Sequence, residues 1–186
     1  MIYLIFIISI IFHELGHILV AKILNVKICK VKFKIIGFSA EFEGNIEDFK
    51  VKKIIILLAG PLINCILAII TLYLKFNLIY KNEIVYTNIL LCVFNILPIM
   101  PLDGGRILCY IFNLKFKFEK SFEIENKISK FFLVILSVSY SIIIYIVKNV
   151  EICFLIIYLW CLNIKEEEKF NWHMKINKNI RKYLNL

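Results

Sequence analysis

His13, Glu14 and His17 place two imidazoles and a carboxylate inside an apolar run, Met1 to Ala21, that holds no Lys, Arg or Asp. On a helix, residues four apart share one face about 6 Å along the axis, so His13 and His17 can grip one metal ion with Glu14 beside it. H-E-x-x-H is the spacing at which zinc sites of hydrolytic chemistry carry two ligands and a general base. In a soluble domain a match this short is often accidental. Inside a membrane span, burying three ionisable groups is costly, so they must face a protein interior and serve a purpose there.

A metal held by two histidines needs a third protein ligand if the fourth position is to stay open for water. His173 lies in a polar tail and is a poor candidate. A better one stands in Asn95-Ile-Leu-Pro98-Ile-Met-Pro101-Leu-Asp103-Gly104-Gly105-Arg106. Its two prolines break a helix, and the glycine pair lets the backbone approach another element closely. Asp103 then opens a second half-helix reaching to about Asn113. An N-cap role would also account for Asp103, and an interhelical hydrogen bond for Asn95. Depth favours more, because His17 lies shortly before Lys22 and Asp103 shortly before Arg106, which puts both near the same bilayer face.

The elements that must position these residues are apolar. The chain is 61% hydrophobic, with three prolines in 186 residues and a mean hydropathy of +0.82, which places it in the membrane class. Runs of span length, charge-free apart from Glu14, occupy 1–21, 54–74 and 84–102, and from Phe131 to Ile164 the only charges are Lys148 and Glu151. That last block reads as two short spans joined by a tight turn. The first run is not a signal peptide by pattern, since its first Lys, Lys22, follows the apolar core instead of preceding it. Of the 23 basic residues, only Lys75, Lys81 and Lys148 fall in the alternate segments. That asymmetry predicts an outside N-terminus and a cytosolic C-terminus. The net charge of +9 then needs no nucleic acid as partner; topology and anionic lipid account for it.

The expected fold is an all-α polytopic membrane protein of about five transmembrane helices, with a short amphipathic β-hairpin between the first two. From Val31 to Glu43 apolar residues alternate with charges, and a turn at Ile36-Gly37 would pair Lys32 with Glu41 and Lys30 with Glu43. Such a hairpin would either hold an extended substrate by strand addition or cover the site from lipid. Six cysteines (Cys29, Cys65, Cys92, Cys109, Cys153, Cys161) form no C-x-x-C pair and read as small apolar filler.

H-E-L-G-H in one span with N-x-x-P-x-x-P-L-D-G-G in a later one resembles the site-2 protease family of intramembrane zinc metalloproteases. Ala59-Gly60-Pro61-Leu62-Ile63-Asn64 is similar to the family's segment between the two motifs, so the resemblance covers residues 1 to about 113. Within the family it is nearest the bacterial sporulation branch, which releases a membrane-tethered sigma factor precursor. The resemblance implies one Zn2+ per chain held by His13, His17 and Asp103, with Glu14 as the catalytic general base. It further implies that Asn95 helps hold substrate or oxyanion, with Asn64 and Gly60 as weaker candidates.

The implied partners are a membrane-tethered protein substrate, the lipid bilayer and inhibitory membrane proteins, in a bacterial cell or forespore membrane. Expected boundaries are a protease domain at 1–164, with accessory spans at about 131–164, and a cytosolic or interfacial tail at 165–186. Branch members often carry a span before the first motif and a nucleotide-binding domain at the end; the segment after Ile164 is too short for one, which puts ATP sensing in doubt. Rival readings are a zinc transporter, a metal-free or non-catalytic zinc-binding membrane protein, and a zinc protease whose helix projects into the cytosol. A transporter has no special need for a glutamate directly after its first ligand.

Overall fold

The computed structural model describes all residues except 27, 34–37, 43–49, 74–78, 148–150 and 184–186. Helix α1 (Ile2–Ile23) buries Ser9, His13, Gly16, His17 and Ala21, a single stripe at helical spacing. Most of its large apolar side chains, among them Ile7, Ile8, Ile11, Phe12 and Leu15, are exposed. Polar groups inside and apolar groups outside is the arrangement expected of a helix in lipid.

Helix α2 (Lys50–Tyr73) packs against this stripe. The crossing is close because it is made by small residues: a Cβ on Gly16 would lie 2.9 Å from the Ala59 carbonyl oxygen. Lipid tails give no hydrophobic drive to helix pairing, so close backbone approach is what brings α1 and α2 together. Helix α3 (Lys81–Ile96) joins α1 through Asn88 Nδ2, which donates to Ser9 Oγ at 3.1 Å with both residues buried.

After α3 the chain cannot continue as a helix, because Pro98 and Pro101 lack the N–H groups it would use. It runs as an irregular loop, with a cis Met100–Pro101 bond, and resumes as α4 (Asp103–Phe112). Gly104 is needed at this re-entry: a Cβ there would overlap the Ile96 carbonyl oxygen. The loop residues Ile99 and Leu102 pack with Leu133 of α5 (Phe118–Val147) and Leu159 of α6 (Glu151–Tyr183).

Two features of the expected fold need correction. Among the described residues two helices, α1 and α2, are long and apolar enough to cross a membrane, where about five were expected. The run at 84–102 is cut short at Ile96 by the proline loop, leaving a 16-residue helix. The final apolar block is shared between α5 and α6, and both helices extend beyond it into charged sequence.

The hairpin as expected, with Lys32 opposite Glu41 and Lys30 opposite Glu43, is not seen. Two short antiparallel strands, β1 (Ile28–Phe33) and β2 (Phe38–Phe42), instead pair Lys30 with Glu41 and Phe33 with Phe38, and the register slips between Ile28 and Lys30. A two-residue shift returns every side chain to the same face, so alternation alone could not choose between the registers. The expected turn at Ile36-Gly37 lies outside the described residues.

Helix α6 continues to Tyr183 alongside α5, with Phe122 and Phe170 stacked at 4.0 Å and Lys130 paired with Glu167 at 2.8 Å.

Glu125 of α5 precedes the apolar run that begins at Phe131 and is fully buried. Burial pushes its carboxyl up to about 7, against the pull of the Ser129 hydroxyl, which donates to it, and of the nearby Met100 N–H. In an unfolded chain a glutamate ionises near ~4.3, so folding favours the protonated form. The stabilisation linked to this group is complete below ~4.3 and is lost as pH rises towards 7. Thermal midpoints in detergent are therefore expected to fall over that window, and less steeply for Glu125→Gln; parallel curves for the two proteins would refute this.

Candidate active site

The stripe on α1 and the first residue of α4 meet in one cluster. His13 Nε2 lies 3.0 Å from Asp103 Oδ2, His17 Nε2 lies 3.2 Å from the same oxygen, and the two Nε2 atoms are 3.2 Å apart. All three residues are buried. Zinc bound tetrahedrally at about 2.0–2.1 Å places its ligands ~3.3 Å from one another, so this triangle has the size of one face of such a site.

The protonation pattern points the same way. His17 Nδ1–H donates to the Ile56 carbonyl at 2.7 Å, which in the neutral ring leaves Nε2 with its lone pair. A lone pair, a second imidazole nitrogen and a carboxylate oxygen crowded together form a donor set that suits a cation. No other group of three His, Cys, Asp or Glu side chains among the described residues is gathered this way.

Helix α2 forms one wall of the cluster. A Cβ on Gly60 would come within 2.7 Å of His13 Nε2 and closer still to His17 Nε2. Only glycine leaves room for both rings here. Asp103 is the first residue of α4, and Leu102 stands at the N-cap position. The alternative of Asp103 as a capping residue is thereby set aside, since its carboxylate is turned to the histidines.

Glu14 is half-buried on the same helix, next to His13. Asn64 lies one turn beyond Gly60 on α2, is fully buried, and has no hydrogen-bond partner for either side-chain atom among the described residues. Asn95 is half-buried and donates to the Leu91 carbonyl of its own helix at 3.0 Å. His173 is exposed. The structure thus brings His13, His17 and Asp103 together and does not engage Asn95 with them. The Ile56 carbonyl was not foreseen, because every residue carries a backbone acceptor and none is marked in the sequence.

The model of Peptidase family M50 matches residues 1–83 and 78–137. A zinc metalloprotease of Methanocaldococcus jannaschii is 36% identical over 130 residues, covering 66% of this chain and 38% of that protein. Stage IV sporulation protein FB of Bacillus subtilis is 28% identical over 128 residues, covering 67% of this chain and 44% of that protein. The chain therefore spans less than half the length of these relatives. Among solved structures, the site-2 protease from Methanocaldococcus jannaschii superposes with a TM-score of 0.65 at 26% identity, covering 88% of this chain and 76% of that one.

Proposed function

The chain belongs to peptidase family M50, and we propose that it is an intramembrane zinc metalloprotease that hydrolyses a peptide bond in or near the transmembrane segment of a membrane-tethered substrate. The observation that carries this reading is the convergence of His13, His17 and Asp103, whose ligand atoms all lie within 4.8 Å of one another. Those three residues would hold the zinc. When bound, it acts as a Lewis acid on the scissile carbonyl and lowers the pKa of water.

The chain's own residues do the rest. His17 is held in the ligating tautomer by the Ile56 carbonyl. Glu14 takes a proton from the attacking water and returns it to the amine nitrogen as the peptide bond breaks. Asn64, with its amide unpaired and buried, is a candidate to meet the substrate backbone, and Asn95 could do so by giving up its bond to Leu91. A substrate helix hides its carbonyls in its own hydrogen bonds, so it must be unwound before cleavage.

The basic segment between α1 and the start of α2, and the one around α4, favour an outside N-terminus and product release to the cytosol. The likeness to stage IV sporulation protein FB supports a role in sporulation, and the sporulation branch that the sequence resembles suggests a tethered sigma factor precursor as substrate class. Co-expression with a panel of tethered sigma-factor-like substrates tests the reading. Wild type should cleave at least one of them, while Asp103→Asn should lose both cleavage and stoichiometric zinc, because an amide oxygen is a much poorer ligand than a carboxylate. Cleavage at the wild-type rate by Asp103→Asn would overturn the assignment, and zinc movement across vesicles without any proteolysis would favour a transporter.

A further inference from the structure

The loop that carries Asp103 is nearly self-contained, with one exception. Among its backbone donors, Ile99 N–H bonds the Leu97 carbonyl and Leu102 N–H bonds the Ile99 carbonyl, both at 2.8 Å. Pro98 and Pro101 have none to offer. Met100 N–H alone leaves the loop: it donates to Ser129 Oγ on α5 at 2.8 Å, with both groups buried. Buried backbone donors are almost always paired, so this bond fixes where the loop rests against α5.

Ser129 can accept from Met100 reliably only if its own single proton is committed elsewhere. It is: Ser129 Oγ–H donates to Glu125 Oε1, one turn back on the same helix. The Pro98 carbonyl, at 3.5 Å, lies at the far limit of its reach. Glu125 and Ser129 have no exposed surface at all. Glu125 Oε2 has no hydrogen-bond partner among the described residues. A carboxyl group in such a place is a poor choice for packing alone, since an apolar side chain would fill the space without the desolvation cost.

We propose that Glu125 and Ser129 are positioning residues, a relay that grips the active-site loop at Met100 and so sets Asp103 against His13 and His17. The relay rests on the protease reading for its purpose, and it makes α5 part of the working site although α5 contributes no ligand. The distance to be spanned is short. Met100 stands three residues before Asp103, and Gly105 is pressed so closely on the loop that a Cβ would lie 2.6 Å from Met100 N. Play at Met100 therefore passes to the first turn of α4.

The test compares Ser129→Ala, Ser129→Thr, Glu125→Ala, Glu125→Gln and a control, Ser137→Ala, which removes a hydroxyl from the same helix farther from the loop. Each full-length protein in detergent is measured for zinc affinity by chelator competition, for thermal midpoint, and for kcat and KM on a tethered substrate. Loss of a group that orients a metal ligand weakens metal binding roughly 10–100-fold. Ser129→Ala and Glu125→Ala should weaken zinc by about tenfold or more and lower kcat with little change in KM. Ser129→Thr and Glu125→Gln, which keep a hydroxyl and an acceptor, should recover most of both.

Weakened stability with wild-type zinc affinity and kcat would overturn the relay, as would an equal loss in Ser137→Ala. If the alanine variants lose zinc affinity but wild type cleaves nothing, the relay stands and the protease reading falls. If wild type cleaves and the alanine variants match it in zinc and kcat, the reverse holds.

Discussion

Glu14→Gln is expected to lower peptide hydrolysis by about two to four orders of magnitude, the usual contribution of a positioned general base, while zinc remains bound at one ion per chain. The two measurements separate because the ligands and the base are different residues. His13, His17 and Asp103 form the triangle without Glu14, whose side chain is half-buried beside it. Glutamine keeps the size and a hydrogen-bonding carbonyl but cannot take a proton from water at neutral pH. The measurement is a cleavage time course in reconstituted vesicles together with metal analysis of the same preparation. Residual activity near that of wild type would mean that another group accepts the proton, and loss of zinc would mean that Glu14 is itself a ligand.

Gly60→Ala should do the opposite, abolishing metal binding as well as activity without touching a chemical group. The added carbon would fall 2.7 Å from His13 Nε2 and closer to His17 Nε2, distances at which something must move. Neither ring has much freedom. His17 is tied at Nδ1 to the Ile56 carbonyl, and His13 is pressed between His17 and Asp103. Backing α2 away instead would require undoing the contact that Gly16 makes with Ala59. Zinc content should therefore fall well below one per chain, measurable by metal analysis and by loss of the metal-dependent rise in thermal midpoint. Full zinc occupancy in this variant would show that α2 does not wall the site as described.

What the sequence disclosed tracks where burial is costly. His13, Glu14 and His17 stand out because ionisable groups are rare in an apolar run, and Asp103 because two prolines and two glycines announce a broken helix just before it. The register of β1 and β2 did not stand out, since a shift of two residues leaves the pattern of faces unchanged. Among the described residues fewer helices are long and apolar enough to span than was expected, for a related reason: hydropathy marks apolar stretches but not where one helix stops and the next begins. Ile56 and Met100 act through backbone groups that every residue shares. Glu125 sits in a stretch with Lys120, Glu123, Lys127 and Lys130, where a charge ordinarily signifies solvent, and only the packing of the loop on α5 reveals it as buried.

The separation of the ligands along the chain has a consequence for assembly. His13 and Asp103 are 90 residues apart, and every element from β1 to α3 lies in the segment between them. An ion shared by these two residues would act as a cross-link closing that whole segment into a ring, and the entropy of such a closure is charged largely to the unfolded chain. Metal loading and the docking of α4 on α1 would then be a single cooperative event. A molecule that had not yet gathered its helices would have no centre with which to cut, so the proposed cleavage would wait until they had come together.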